Sequence, residues 1–304
     1  MPYTSDATLT ISCGRISGFN LGVIQRPDYD DTPTPEFFNP SWMSTLPDNR
    51  SLSEVTIPGT HNTAALYGGV YAECQSWSLP SQLQAGVRFL DVRVHHLDGV
   101  LNIHHGVMYQ KAHFGDVLRD VVNFLNKYPS ETVLMRIKEE QSKTNSIYTP
   151  VVKYIHRYAR WDLLWHSRQV PTMGQARGKL IILQDFYGTE LGMNYKSMDI
   201  ADDWKVPSLA QVPDKWQSAY NHLEAAAVGS KAQMFLTFSS GAGISAFPRS
   251  VAQRINPKLY KYLMAKKNKN QCFGIICMDF PSAPMIQSII NFQLKEDEEQ
   301  DSVL

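Results

Sequence analysis

An α/β fold of parallel βα units, with a strand count approaching a closed barrel, is what this sequence predicts. Short apolar runs at Val55–Ile57, Val87–Val94, Leu101–His104, Thr132–Lys138, Gly178–Leu183, Gln233–Ser239 and Phe273–Asp279 read as strands, about seven against the eight of a complete barrel. Between them lie stretches of helical periodicity. The clearest stripe is Phe114, Val117, Leu118, Val121, Val122 and Leu125, stopped by Pro129. With 304 residues and 43% hydrophobic content, the chain is long enough for a large core, as one barrel or as two domains.

In chain order, residues 1–41 read as an N-terminal extension. An alternating run, Leu9-Thr10-Ile11-Ser12, precedes a Pro-, Asp- and Thr-rich loop from Pro27 to Pro40. The barrel pattern starts at Trp42 and continues to residue 293. Within Val87–Val94, apolar Leu90, Val92 and Val94 alternate with Asp91 and Arg93, so the apolar face meets helices and the charged face a lumen. Buried charges are costly unless they pair or serve a ligand, which makes that polar face informative. Thr132–Lys138 repeats the alternation with Arg136 and Lys138. Helices follow around Ile147–Arg160 and Pro257–Ala265, and a polar, aromatic-rich loop or lid covers Tyr187–Pro213. The acidic stretch 294–304 reads as disordered and ends Ser302-Val303-Leu304, the form of a C-terminal PDZ ligand.

The 29 basic and 29 acidic residues cancel, so no long-range field recruits nucleic acid or an anionic membrane. Cys13, Cys74, Cys272 and Cys277 form neither a C-x-x-C pair nor a zinc spacing, which points to free thiols in a reducing compartment. The N-terminus lacks a basic start and an apolar h-region, and no membrane-length apolar run occurs; the expectation is a cytoplasmic protein, peripheral to membranes.

The chemistry gathers at strand ends. His61 follows a Pro58-Gly59 turn in Ile57-Pro58-Gly59-Thr60-His61-Asn62-Thr63, a second imidazole stands in His104-His105-Gly106, Asp91 and Arg93 share one strand face, and Asp279 closes the last strand. A lone His is ordinarily a satisfied core or rim residue. His61, Asp91, Arg93, His105 and Asp279 together form a complementary set. Two imidazoles and a guanidinium suit a phosphodiester, where one ring removes a proton, the other donates one, and the cation holds the charge between them. Rival chemistries lack their patterns: Ser239–Gly243 has no P-loop ending, no H-x-H or H-E-x-x-H metal motif occurs, and there is no G-x-S-x-G elbow.

The runs I-P-G-T-H-N-T, G-V-R-F-L-D-V-R, H-H-G, P-S-E-T-V-L-M-R-I-K-E-E, A-R-G-K-L-I-I-L and M-D-F, in order between Trp42 and Asn291, resemble the catalytic X domain of bacterial-type phosphatidylinositol-specific phospholipase C. The resemblance implies a single-domain, distorted or incomplete TIM barrel. It implies that His61 deprotonates the inositol 2-hydroxyl, Asp279 orients or polarises that imidazole, His105 protonates the departing diacylglycerol and Arg93 stabilises the non-bridging oxygens. Lys138, Arg177, Asp202 and Trp204 align with inositol contacts, and phosphatidylinositol in a membrane is the implied partner. Two departures stand out. Asn62 replaces the acid that assists the second imidazole in bacterial members, and resembles a ligand in calcium-dependent eukaryotic relatives; Arg93, however, stands where those enzymes place a carboxylate ligand. The expectation is therefore catalysis without a metal or other cofactor, with calcium through Asn62 as the rival. At the rim, Ile244, Ser245 and Phe247 stand in the loop where bacterial members carry a membrane-inserting Trp. A weakly active phosphoinositide-binding scaffold is the alternative function, and a glycerophosphodiester-cleaving barrel a third, disfavoured by Arg93.

Overall fold

The computed structural model describes residues 23–142, 146–267 and 271–293. The run Leu9–Ser12, Cys13 and the acidic tail with its PDZ-like end lie outside the described residues.

The described residues start with a two-stranded hairpin, β1 (Gln25–Arg26) and β2 (Tyr29–Asp30). It continues through β3 (Ile57–Thr60), α1 (Leu79–Ala85), β4 (Phe89–Leu97), β5 (Val100–His105), β6 (Met108–His113), α2 (Phe114–Lys127) and β7 (Val133–Glu139). Next come α3 (Tyr148–Tyr158), α4 (Met173–Ala176), β8 (Leu180–Asp185), β9 (Met193–Asn194) and β10 (Asp199–Ala201). The last part is α5 (Val212–Val228), β11 (Phe235–Phe238), α6 (Pro248–Lys266), β12 (Ile275–Met278) and α7 (Ala283–Ile290). Eight parallel strands pair in the order β10-β11-β12-β3-β4-β7-β8-β9. The sheet curls into an incomplete barrel whose seam lies between β9 and β10, unpaired among the described residues. β5 and β6 are an antiparallel excursion from the outer end of β4.

Helix α2 buries Phe114, Val117, Leu118, Val121 and Leu125, the stripe legible in its sequence. Asp116 accepts a hydrogen bond from the His113 amide at 2.9 Å, capping the helix start. Three expectations need correction. First, β6 occupies 108–113, before α2, and was not anticipated. Second, Tyr187–Pro213 is no free lid: Leu191, Met193, Tyr195, Met198 and Val206 are buried, and β9 and β10 extend the barrel sheet. Third, α5 was missed, while Pro257–Ala265 does lie within a helix, α6, which runs from Pro248. Inside α6, Pro257 has no N–H for the carbonyl of Gln253, and that oxygen instead accepts from Arg26 of the N-terminal hairpin at 3.2 Å.

Strand register sorts the lumen into tiers, because side-by-side residues of parallel strands face the same way and the pleat repeats every second residue. Phe238, Cys277, Gly59, Phe89, Leu134 and Ile181 are register partners and form an apolar floor. Two residues further along these strands stand Asp279, His61, Asp91 and Arg136, the polar tier. Gly59 is required in the floor, since a Cβ there would meet the Phe89 ring at 2.7 Å.

The opposite end of the barrel is held by a fully buried ion pair. Arg88 donates to Glu131 at 2.8 Å and also to the carbonyls of Leu83, Val87 and Pro40, while Glu131 accepts from the Met43 amide. Glu131→Ala would leave a buried guanidinium uncompensated, with an expected loss of about 3–5 kcal/mol of unfolding free energy. Urea denaturation measures it; a change within the noise of a surface substitution would contradict this account.

Candidate active site

The mouth is built at the C-terminal ends of the parallel strands. β3 runs into His61, whose amide continues the ladder by donating to Met278 O at 2.9 Å. Asn62 then turns the chain with φ 42°, a left-handed conformation that Asn tolerates better than most residues. Buried Gln75 ties the ends of β3 and β12 together, donating from Nε2 to His61 O at 2.8 Å and Met278 O at 2.9 Å. That clamp fixes His61 against Asp279. His61 Nδ1 lies 2.8 Å from Asp279 Oδ1, and its Nε2 lies 3.1 Å from both Arg93 and Asn62 Nδ2. A carboxylate accepts, while guanidinium and amide nitrogens donate, so the ring is protonated on Nδ1 and presents a lone pair at Nε2.

His105 arrives by a different route, at the end of antiparallel β5 rather than on a barrel strand. Its Nδ1 donates to Ala72 O at 2.7 Å, leaving Nε2 for the cleft, and its ring centre lies 6.2 Å from that of His61. Burial lowers its pKa. Cys74 Sγ packs 3.8 Å from the same Nδ1, and burial, then Asp279, pushes its thiol well above the ordinary value.

Asp91 is the buried charge on which the tier is built, 1% exposed. It accepts from the Asn62 amide at 3.1 Å, Arg93 at 3.2 Å and Arg136 at 3.2 Å. Burial alone would raise its pKa; Arg93 and Arg136 outweigh burial and hold it far below the usual carboxylate range. Arg136 also donates to Asp185 at 2.7 Å and 3.0 Å and stacks over Tyr195, 4.1 Å from the ring centre. Arg93 faces Glu140 at 3.7 Å, and Glu140 accepts from the Gly106 amide beside His105.

The structure brings together His61, Asn62, Asp91, Arg93, His105 and Asp279. Lys138 pairs in register with Arg93 and Asp185, at the same level of the mouth. Asp202 follows β10 at the mouth, and Trp204 is an exposed rim residue whose carbonyl accepts from Ala242. Arg177 does not belong with them. It precedes β8, at the closed end, and donates to the carbonyls of Met43, Ser130 and Leu46 and to Asp48 at 2.6–3.0 Å. Its donors serve main-chain oxygens of the barrel's base, and the strand that follows carries Asp185, not an arginine, to the mouth.

Gln75, Cys74, Glu140, Asp185 and Lys215 went unrecognised in the sequence. Lys215, on the missed α5, is buried and donates to Phe238 O at 2.7 Å, and burial lowers its pKa. Only the polar alternation around Asp185 and the second Glu of Lys138-Glu139-Glu140 carried a signal. One ligand atom each from His61, Cys74 and Asp279 lies within 4.8 Å of the others, a grouping of metal-ligating type.

A family profile described as "Phosphatidylinositol-specific phospholipase C, X domain" matches residues 49–185. The chain is 31% identical over 277 residues to the 1-phosphatidylinositol phosphodiesterase of Listeria monocytogenes, covering 82% of this chain and 83% of the relative. A Staphylococcus aureus protein of the same name is 26% identical over 275 residues, covering 79% and 88%. The crystallised phosphatidylinositol-specific phospholipase C from Listeria monocytogenes superposes with a TM-score of 0.75 at 29% identity, over 84% of this chain and 98% of that one.

Because the folded pKa of Asp91 is depressed, the unfolded state binds more protons below the ordinary Asp value of 3.8, and Asp91 adds stability above that pH that is lost on acidification. Arg136→Ala is expected to cost about 3–5 kcal/mol at neutral pH and to flatten the acid limb of stability against pH. Urea titrations at several acidic pH values read both; an unchanged limb would show that Arg136 does not hold Asp91 ionised.

Proposed function

This chain belongs to the phosphatidylinositol-specific phospholipase C family, and from that premise we propose that it cleaves phosphatidylinositol to diacylglycerol and inositol 1,2-cyclic phosphate. The observation that carries the reading is the orientation of His61, with Nδ1–H on Asp279 and the Nε2 lone pair turned toward Arg93. Nε2 takes the proton of the inositol 2-hydroxyl, whose oxygen bonds to phosphorus. As the phosphorus–glycerol oxygen bond breaks, protonated His105 gives the departing oxygen its proton from Nε2. Ring centres 6.2 Å apart put both imidazoles within reach of one phosphoryl group. Arg93, anchored by Asp91, faces the non-bridging oxygens and supplies fixed positive charge that need not reorganise during the reaction. Lys138 and Asp202 are assigned to the inositol hydroxyls and Trp204 to the apolar face of the ring, a reading supported by the register of Lys138 with Arg93 and the exposure of Trp204.

Replacing either histidine removes one proton transfer, so His61→Ala and His105→Ala are each expected to lower turnover by at least about 10²-fold. Phosphorus NMR on phosphatidylinositol micelles reads this as loss of the cyclic phosphate signal; persistence in either variant would refute the assignment. The same assay separates an enzyme from a binding scaffold, which holds inositol phosphate without yielding the cyclic product.

We propose that catalysis requires no metal. Arg93 lies between His61 Nε2 and Asp91, where a guanidinium repels a cation and performs its electrostatic task. Activity in excess chelator is expected to match the untreated enzyme, and complete loss restored by calcium would overturn this.

The rim supports transient docking on a lipid surface. Ile244 is 95% exposed, Val107 81% and Tyr71 73%, all in loops that flank the mouth, with Phe247 packed edge-on against Tyr71. Among the described residues no helix is long and apolar enough to cross a membrane. Ile244→Asp is expected to weaken co-sedimentation with phosphatidylinositol vesicles while sparing cleavage of a water-soluble substrate. Equal losses in both would point to a folding defect.

A further inference from the structure

We propose that His61, Cys74 and Asp279 form a site for a soft divalent cation, zinc by its chemistry, and that the ion switches the enzyme off. The inhibitory half rests on His61 being the general base; the binding half does not. One ligand atom from each residue lies within 4.8 Å of the others. These are the imidazole, thiolate and carboxylate donors that zinc takes in tetrahedral sites, at about 2.0–2.3 Å. A modest contraction closes the three around an ion, and a water completes the shell.

A second observation points to the same place. Asp279 is 1% exposed, and its Oδ2 has no hydrogen-bond partner, although Oδ1 is bound to His61. A buried carboxylate oxygen left unpaired is rare, and a cation or an ordered water is the ordinary reason for one. The proposed reaction has no use for Cys74. It is fully buried beside the two histidines, its Sγ 3.8 Å from His105 Nδ1. A thiolate excludes calcium and magnesium, which take oxygen ligands, and selects zinc or copper(I) among biological ions.

On binding, the Cys74 S–H gives its proton to solvent, the thiolate and one Asp279 oxygen bond the metal, and His61 Nδ1 contributes a lone pair as its own proton passes by way of solvent to Nε2. Protonated Nε2 then has no lone pair for the inositol hydroxyl proton. This differs from the calcium question at Asn62: the cation here lies on the Asp279 side of His61, away from Arg93, and removes activity.

Cobalt(II) titration of the full chain tests binding without reference to turnover, because a thiolate–cobalt bond gives a near-ultraviolet charge-transfer band. The wild type is expected to bind one equivalent with that band and to lose it when zinc is added. Cys74→Ser is expected to lose the band, whereas a His95→Ala/His104→Ala variant, which removes the tilted ring pair with centres 4.6 Å apart on β4 and β5, keeps it. No band in the wild type, or an undiminished band in Cys74→Ser, overturns the site. Should Cys74→Ser fail to fold by circular dichroism, Asp279→Asn decides: a band with at least about tenfold weaker affinity supports the site, and unchanged affinity overturns it. In the cleavage assay, saturating zinc is expected to lower wild-type turnover about 10²-fold relative to its rate in chelator. Bound cobalt or zinc with undiminished turnover overturns the inhibitory half and His61 as base, and leaves the binding site standing.

Discussion

A carboxylate closed off from water imposes the design of this molecule's mouth. Asp91 sits at the level where an apolar floor gives way to polar chemistry, and an isolated charge there would cost several kcal/mol. Two guanidiniums and a main-chain amide answer that cost, and each answer determines something else. Arg93, held by Asp91, is brought to His61 Nε2. Arg136, the register partner of Asp91 on the adjacent strand, recruits Asp185 and the face of Tyr195. The Asn62 amide can reach Asp91 only because the residue adopts a left-handed turn, and the same turn delivers the Asn62 side chain to His61.

The two imidazoles are positioned by different kinds of structure. His61 extends a central parallel strand, backed by Asp279 on the neighbouring strand end and by the Gln75 clamp. His105 reaches over from the hairpin that β4 throws out beyond the barrel, fastened by the Ala72 carbonyl. One ring is therefore tied to a carboxylate and the other to a neutral carbonyl, and in each the anchor takes Nδ1 and leaves Nε2 for proton transfer.

Much of this was legible in the sequence, for identifiable reasons. Alternation of period two in Phe-Leu-Asp-Val-Arg-Val put Asp91 and Arg93 into the lumen before any coordinates, and the α2 stripe declared its buried face. His61, His105 and Asp279 stood out by residue type at strand ends. Helix α5 did not, because it buries Ala219, Ala226 and a lysine among few large apolar residues, so no stripe forms. β9 and β10 are two and three residues long, below what periodicity can reveal. Arg177 was misplaced because a match along the chain says nothing of which barrel end a residue occupies. Gln75 and Cys74 act through contacts with residues brought close only by folding.

Connectivity adds a consequence for how the protein is made. The imidazole and carboxylate that meet at 2.8 Å are 218 positions apart, on β3 near the start of the barrel and just past β12 near its end. β3 lies between β4 and β12 in the sheet, so its second neighbour is the last barrel strand among the described residues. A nascent chain thus carries His61 through the synthesis of those 218 positions with one flank of its strand open and no Asp279 on Nδ1. Assembly of the reactive group coincides with insertion of the final strand, a late and long-range step. A truncated or half-folded chain holds the histidines without holding them in working order, so chemical competence reports that the whole barrel is complete.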